Sequence, residues 1–223
     1  MQLKTHDFNG SEKILKEDLS TLWAELEAVL KALPIHLMAS DQKGKVGTPI
    51  FDPKATNAAI KAALAVRGWP TNCPIPEEFQ FLGTDVDYFH RGLLGEAQFS
   101  NYPFLLNNVV RSELLAKSKV QLGDGHVRVV VIVVKAHMFP ASNSTLYYEQ
   151  AVNQLTELAK HGVLDVPIRV VGLFADLGVS VPILWSSYSG RYARVPTKQE
   201  QCTGTLQPGK KASSRAKLVF TRQ

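Results

Sequence analysis

Leu15, Leu19, Leu22, Leu26, Val29 and Leu33 recur at spacings of three and four, and Trp23 and Leu30 widen the same stripe. That rhythm predicts a helical run with one apolar face, capped by Ser11 and ended by Pro34. A polar loop follows, Ser40-Asp41-Gln42-Lys43-Gly44-Lys45-Val46-Gly47. The alanine-rich stretch 54–66 reads as a second helix closing at Arg67-Gly68. Val86 and Tyr88, then Leu94 to Phe99 beyond a turn near Arg91-Gly92, read as the two strands of a hairpin. Residues 103–117 read as a helix with Leu105, Val109, Leu114 and Leu115 inward.

Residues 129–134 are apolar at every position, which suits a central strand covered on both faces rather than a half-exposed one. Ser142-Asn143-Ser144-Thr145 has the composition of a helix start, with the helix over 146–160, and 168–173 reads as another buried strand. After Asp176 the pattern shortens to strands at 179–185, 192–195 and 218–221, around a polar, lysine-bearing loop at 207–214. Strands alternating with helices and then a β-rich end predict an α/β fold with a small β subdomain. The expected division is 1–176 for the core and 177–223 for the subdomain and its basic tail, the two packed as one unit.

Composition narrows the class. The chain has 223 residues, 45% hydrophobic and 20% charged, a globular mix that excludes collagen-like and disordered chains. The longest apolar run falls far short of the ~20 residues a membrane span needs, so no membrane association is expected. The opening MQLKTHDFNG lacks an apolar stretch after its lysine and does not read as a secretory signal. Two cysteines, Cys73 and Cys202, with no C-x-x-C pair argue against a disulfide framework or a cysteine zinc site, and make a reducing cytoplasm the expected compartment. The net charge is +5, but its placement matters more. Residues 191–223 hold eight basic side chains and one acidic, Glu200, while the first 190 residues hold 17 and 19. A basic surplus confined to one end attracts polyanions by counterion release.

The candidate chemistry lies at the central hairpin. Asp87 in one strand and Glu96 in the next are brought side by side by a tight turn, and hard oxygen ligands so placed suit Mg²⁺, which polarises a phosphodiester and activates water. Gln98 lies two residues beyond Glu96 and shares its strand face, where it can orient a water. Asp85 shares a face with Asp87, so the pattern leaves these two undecided, and two carboxylates nine positions apart also serve as ordinary solvent-facing residues. The histidines are scattered, with no pair at metal-ligand spacing, and neither a phosphate-binding glycine loop nor a G-x-S-x-G elbow occurs. A second group joins polar residues at element ends: Ser100-Asn101 after the second hairpin strand, Ser142-Asn143-Ser144 where a helix start favours phosphate, and Arg191-Tyr192-Ala193-Arg194 in the basic section.

Longer words carry more. The segments ALPIHLMASDQKGKVGTPIFDP, NCPIPEEFQFLGTDVDYFHRGLLGEAQFSNYPFLLNNVVRSELLAKS, HMFPASNSTLYYEQAVNQL and VPIRVVGLFADL, with the shorter RYARV, resemble the BglII-like type II restriction endonucleases of the PD-(D/E)xK nuclease superfamily. The resemblance runs from about residue 12 to about residue 195 and weakens over the last thirty. It implies a mixed β-sheet flanked by helices, a restriction-endonuclease-like core, with a β-rich C-terminal subdomain. It implies a homodimer that cuts both strands of double-stranded DNA at a palindrome, A/GATCT, using Mg²⁺ and leaving 5′-phosphates, in a bacterial cytoplasm that also holds a cognate DNA methyltransferase. Carried over residue by residue, Asp87 matches the metal-binding aspartate, which separates it from Asp85. Glu96 and Gln98 match the second acidic residue and the glutamine that stands where many nucleases have lysine, and the backbone carbonyl of Ala97 matches a metal ligand. Asn72 matches an active-site asparagine that holds the attacking water. Ser100, Asn101, Asn143, Ser144, Tyr192 and Arg194 fall on DNA-contacting positions, and the 41–45 loop on an element that closes on DNA. Two other functions compete: a repair nuclease that cuts by structure, and a non-catalytic DNA-binding protein, for which Gln98 in place of lysine is the best support.

Overall fold

The computed structural model of the chain describes residues 1–210 and 215–221. The chain opens with a strand, β1 (Gln2–Phe8), followed by two helices, α1 (Ser11–Glu17) and α2 (Ser20–Ala32). The single run expected from the leucine spacing is thus broken at Asp18 and Leu19. The periodicity survives the break because both helices turn the same stripe inward, with Leu15, Leu19, Leu22, Leu26, Val29 and Leu30 all buried. Ser11 is not the cap: Gly10 is, at φ 78°, and the Ser11 hydroxyl instead donates to Asp7 and to the carbonyl of Ile168.

Next come β2 (Ile35–Ala39), β3 (Pro49–Phe51) and α3 (Pro53–Ala65). Asp52 caps α3, its side chain accepting from the backbone N–H of Lys54 and Ala55 at 3.0 Å each, and Pro53 opens the first turn where no N–H is needed. After β4 (Thr71–Pro74) and a 3₁₀ turn (Glu77–Leu82), β5 (Asp85–His90) and β6 (Leu93–Ala97) make the expected hairpin. Helix α4 (Phe104–Lys117) and a short hairpin of β7 (Gln121–Leu122) and β8 (Gly125–His126) lead to β9 (Val129–Lys135). Helix α5 (Tyr148–Lys160), β10 (Ile168–Phe174), β11 (Ser180–Ser187), β12 (Lys198–Gln207) and β13 (Lys217–Thr221) complete the order.

Six strands form the main sheet in the order β1-β10-β9-β6-β5-β4; the two pairings of β9 are parallel and the others antiparallel. Every residue of β9 is buried. Val129, Val131 and Val133 face a core built from α1, α2, α3 and the second sheet, and Val130, Ile132 and Val134 face a core that includes residues of α4 and α5. The uniform apolar run is therefore the signature of a strand with protein on both faces.

The second sheet runs β13-β12-β11-β2-β3. Its strands β2 and β3 come from residues 35–51, so the β-rich part is not confined to 177–223 as expected; Ile35 to Met38 pair in parallel with Ile183 to Ser186. Residues 192–195 are not a strand but an exposed turn, and the strand of this region is β12, whose polar sequence hid it. The loop expected over 207–214 lies partly outside the described residues. No helix among the described residues is long and apolar enough to cross a membrane.

Lys135 ends β9 with only 1% of its surface exposed. Burial, and secondarily the charge of Arg215, lowers its pKa from 10.5 to about 7. Between about pH 7 and 10.5 the unfolded chain therefore holds a proton that the folded chain releases, and this residue makes stability rise with pH across that interval. Lys135→Met is expected to remove that rise. Urea unfolding of both proteins from pH 7 to 10 checks it: the wild-type stability should climb relative to the variant, and parallel curves would mean that Lys135 titrates normally.

Candidate active site and DNA-facing cavity

An open cavity of about 550 Å³ is lined by Asn57 and Lys61 of α3, Ala97 at the end of β6, Ser100, and Tyr192 and Arg194 of the C-terminal turn, and Asp87 of the hairpin bonds to three of these residues, Asn57, Lys61 and Ala97. Asp87 sits half-buried in β5. Its Oδ2 accepts from the backbone N–H of Ala97 at 2.8 Å, and its Oδ1 receives Lys61 Nζ at 2.6 Å and Asn57 Nδ2 at 3.2 Å. Lys61 Nζ also donates to Asn72 Oδ1 at 2.6 Å, so one ammonium ties Asn72 to Asp87. Asn72 itself holds φ at +50°, a left-handed backbone tolerated best by glycine and asparagine. Asp85 is exposed and stands outside this cluster.

Glu96 is placed differently. It is buried on the face of β6 shared with Leu94, which packs in the core that includes α4, and it forms an ion pair with Arg111 of α4. Burial pushes its carboxyl up to about 8, against the pull of Arg111 and with a further push from Asp87. Arg111 also donates to the carbonyl of Leu82, at 3.3 Å, tying the 3₁₀ turn to the same helix. Gly95 between these faces has no room for a side chain: a Cβ there would lie 1.7 Å from the ring of Tyr88.

Gln98 is also buried and bonds to the same helix. Its Oε1 accepts from Asn108 Nδ2 at 3.0 Å, and its Nε2 donates to the Asn101 carbonyl at 3.2 Å and the Ser100 hydroxyl at 3.4 Å. Both ends of the amide are thus engaged by protein, and the side chain links the hairpin to the segment after it. That segment pairs with a second one: Asn101 bridges Thr145, Leu146 N–H donates to the Ser100 carbonyl at 2.8 Å, and Tyr102 N–H to the Ser144 carbonyl at 3.1 Å. Asn143 and Ser144 therefore lie beside Ser100 and Asn101, with Ser144 at φ +57°. They do not open a helix, since α5 begins at Tyr148 with Tyr147 as its cap. Asn143 is covered by the 41–47 loop, through Lys45 Nζ on its Oδ1 at 3.1 Å and its own N–H on Gln42 Oε1 at 3.2 Å.

Three residues of this site were not among those expected from sequence. Lys54, Asn57 and Lys61 stand at i, i+3 and i+7 on α3 and so share one face, which lines the cavity. Lys54 Nζ holds the C-terminal turn by donating to the carbonyls of Arg191 and Ala193 at 3.1 and 2.6 Å. The periodicity was readable, but a polar stripe on an alanine-rich helix looks like any solvated face.

The donor set suits a small hard cation. Among the described residues no group of three or more His, Cys, Asp or Glu side chains could hold a metal. Mg²⁺ needs fewer, keeping most of its waters and taking one or two carboxylates. Asp87 offers a cation-facing oxygen, now occupied by the Lys61 ammonium, with Ala97 adjoining it.

Known proteins resemble the chain in sequence and in structure. The pattern of the family described as restriction endonuclease BglII/BglIII matches residues 3–173. Type II restriction enzyme BglII of Bacillus subtilis is 49% identical over 207 residues, 92% of each chain. The crystal structure of restriction endonuclease BglII complexed with a DNA 16-mer superposes with a TM-score of 0.93 at 46% identity, covering 99% of this chain and 100% of that one. The crystal structure of free BglII gives 0.77 at 42% identity with the same coverage.

Arg111→Met is expected to cost about 1–3 kcal/mol of stability, because the buried Glu96 carboxyl, neutral once unpaired, loses its hydrogen-bond partner. The double change Arg111→Met with Glu96→Met should recover much of that loss. Urea titration of the three proteins checks it; a single change under about 1 kcal/mol would mean the pair contributes little.

Proposed function

The chain belongs to the restriction endonuclease BglII/BglIII family, as a type II site-specific endonuclease, and from that premise we propose that it cleaves both strands of a palindromic duplex, A/GATCT, in a Mg²⁺-dependent reaction leaving 5′-phosphates. The observation that carries this reading is the shared cavity: Asp87 and Ala97 at its chemical end adjoin Ser100, Tyr192 and Arg194, which suit contact with a polyanion. Reading and cutting groups lie close enough to act on one bound duplex. The protein acts in the bacterial cytoplasm beside a methyltransferase that protects the host's own copies of the site.

Asp87 and the Ala97 carbonyl would hold the metal. Bound there, Mg²⁺ would supply charge stabilisation at the scissile phosphate and a more acidic water. Asn72 orients the attacking water from the other side of Lys61. Lys61 holds Asp87 and Asn72 in one constellation and keeps a positive charge at the phosphate's position, where charge develops in the transition state. Glu96, held by Arg111, ties the hairpin to α4, and Gln98 aligns the hairpin with the reading segment through Asn108, Ser100 and Asn101. Attack in line with the departing 3′ oxygen needs no covalent enzyme intermediate.

Two-fold symmetry supports the dimer. A palindrome presents the same half-site twice, and two subunits related by a two-fold axis cut one strand each. Helix α4 buries Leu105, Val109 and Leu115 on one face, yet Tyr102, Phe104, Leu106 and Val110 in and just before it are exposed and apolar, a ridge suited to a second copy.

Incubation of a sequenced plasmid with the pure protein and Mg²⁺, followed by mapping of the ends, tests the activity and the site together. Fixed cuts within AGATCT are expected; a smear would overturn the reading. Asp87→Ala should abolish cleavage while keeping binding to the mapped site in Ca²⁺, and lost binding with an unchanged circular dichroism spectrum would count against a metal role.

Lys61→Met is expected to lower the single-turnover cleavage rate ~10²-fold or more, since misplacing Asp87 and Asn72 by a fraction of an ångström is costly. Wild-type rates at saturating enzyme would reduce Lys61 to a surface ion pair.

A further inference from the structure

Lys135 is buried deeper than any ionisable group of the catalytic cluster, yet it touches none of that cluster. Its Nζ donates to the Phe99 carbonyl at 2.5 Å, to the Thr145 hydroxyl at 2.5 Å and to the Leu146 carbonyl at 3.3 Å, and the Thr145 hydroxyl in turn donates to the Phe99 carbonyl at 3.0 Å. The rings of Phe51 and Tyr147 flank it at 5.5 and 5.4 Å. Among the described residues no carboxylate pairs with it. A buried ammonium without a counter-ion is costly, and an apolar side chain of similar volume would serve the core better. What the lysine provides is geometric: one nitrogen in hydrogen-bond reach of oxygens on two different segments.

Those segments are the ones beside the cavity. Phe99 directly precedes Ser100 and Asn101, and Thr145 directly follows Asn143 and Ser144. Besides the lysine, the links between them among the described residues are the Thr145 hydroxyl on the Phe99 carbonyl, the Asn101–Thr145 bridge and two backbone hydrogen bonds, Leu146 to Ser100 and Tyr102 to Ser144. Ser144 has a left-handed backbone that must be held from outside.

We propose that Lys135 is a positioning residue for DNA sequence recognition, locking Ser100–Asn101 and Asn143–Ser144 into one rigid reading edge. The proposal rests on the reading of this chain as a site-specific endonuclease. Hydrogen bonds to base edges are directional, and each good one carries roughly tenfold or more of discrimination, so an edge that flexes loses selectivity before it loses affinity for the phosphate backbone.

The test compares wild type with Lys135→Met, which keeps the length and loses the N–H groups, and with Thr145→Val, which removes one acceptor. Binding in Ca²⁺ is measured to the duplex mapped by cleavage, to duplexes with one base pair changed, and to a random duplex, alongside urea unfolding at pH 7. The cognate-to-changed ratio should fall ~10-fold or more in Lys135→Met and less in Thr145→Val, with random-duplex affinity unchanged and stability equal or higher. A ratio within twofold of wild type in folded variants would overturn the proposal, as would an equal loss on all duplexes. Should Lys135→Met fail to fold, Thr145→Val decides: a reduced ratio supports the role and an unchanged one sinks it. If wild type itself shows no preferred duplex, the reading beneath the proposal has failed, and that is visible before any variant is compared.

Discussion

Covering β9 on both faces is the constraint around which the rest of the molecule is arranged. A strand with protein above and below leaves polar chemistry nowhere to go except the strand ends and the flanking hairpin. Its parallel neighbour β6 inherits the same division, with Leu94 and Glu96 toward the core that includes α4 and Ala97 on the cavity. The buried Glu96 carboxyl is met by Arg111, and Gly95 on the intervening position leaves room for the buried Tyr88 ring.

The parts of the fold that were legible in sequence are those where burial leaves a strong rhythm. Residues 129–134 and 168–173 announced themselves by having no polar position, and α3 by its alanines. Strands β1 and β12 did not. Gln2–Phe8 pairs only along one edge and carries Lys4, Thr5, His6 and Asp7, and Lys198–Gln207 buries only Cys202, Gly204 and Leu206. Such strands are fixed by partners far away in the chain, which local patterning does not report.

The candidate site divides in the same way. Asp87, Glu96 and Gln98 lie within a dozen residues on one hairpin, so their spacing and the resemblance together were enough to single them out. Lys61, Asn57 and Arg111 meet them only through the packing of α3 and α4, and no spacing rule connects residue 61 with 87 or 111 with 96. The structure also shows how Gln98 is held. With Asn108 on its oxygen and Ser100 and Asn101 on its nitrogen, it joins the hairpin to α4 and to the segment that follows.

Sheet order also sets a timetable for synthesis. β1 finds its partner only when residues 168–174 exist, and β2 only when β11 has been made. Arg194 reaches the cavity later still, held by Lys54 through the turn it belongs to. A ribosome-bound chain therefore carries the hairpin with Asp87 and Glu96, and its partner β4, before β9 exists to take the other edge. Contacts this distant in sequence form slowly and together. The cavity beside the hairpin is therefore complete only when the turn carrying Tyr192 and Arg194 has been made, near the end of synthesis.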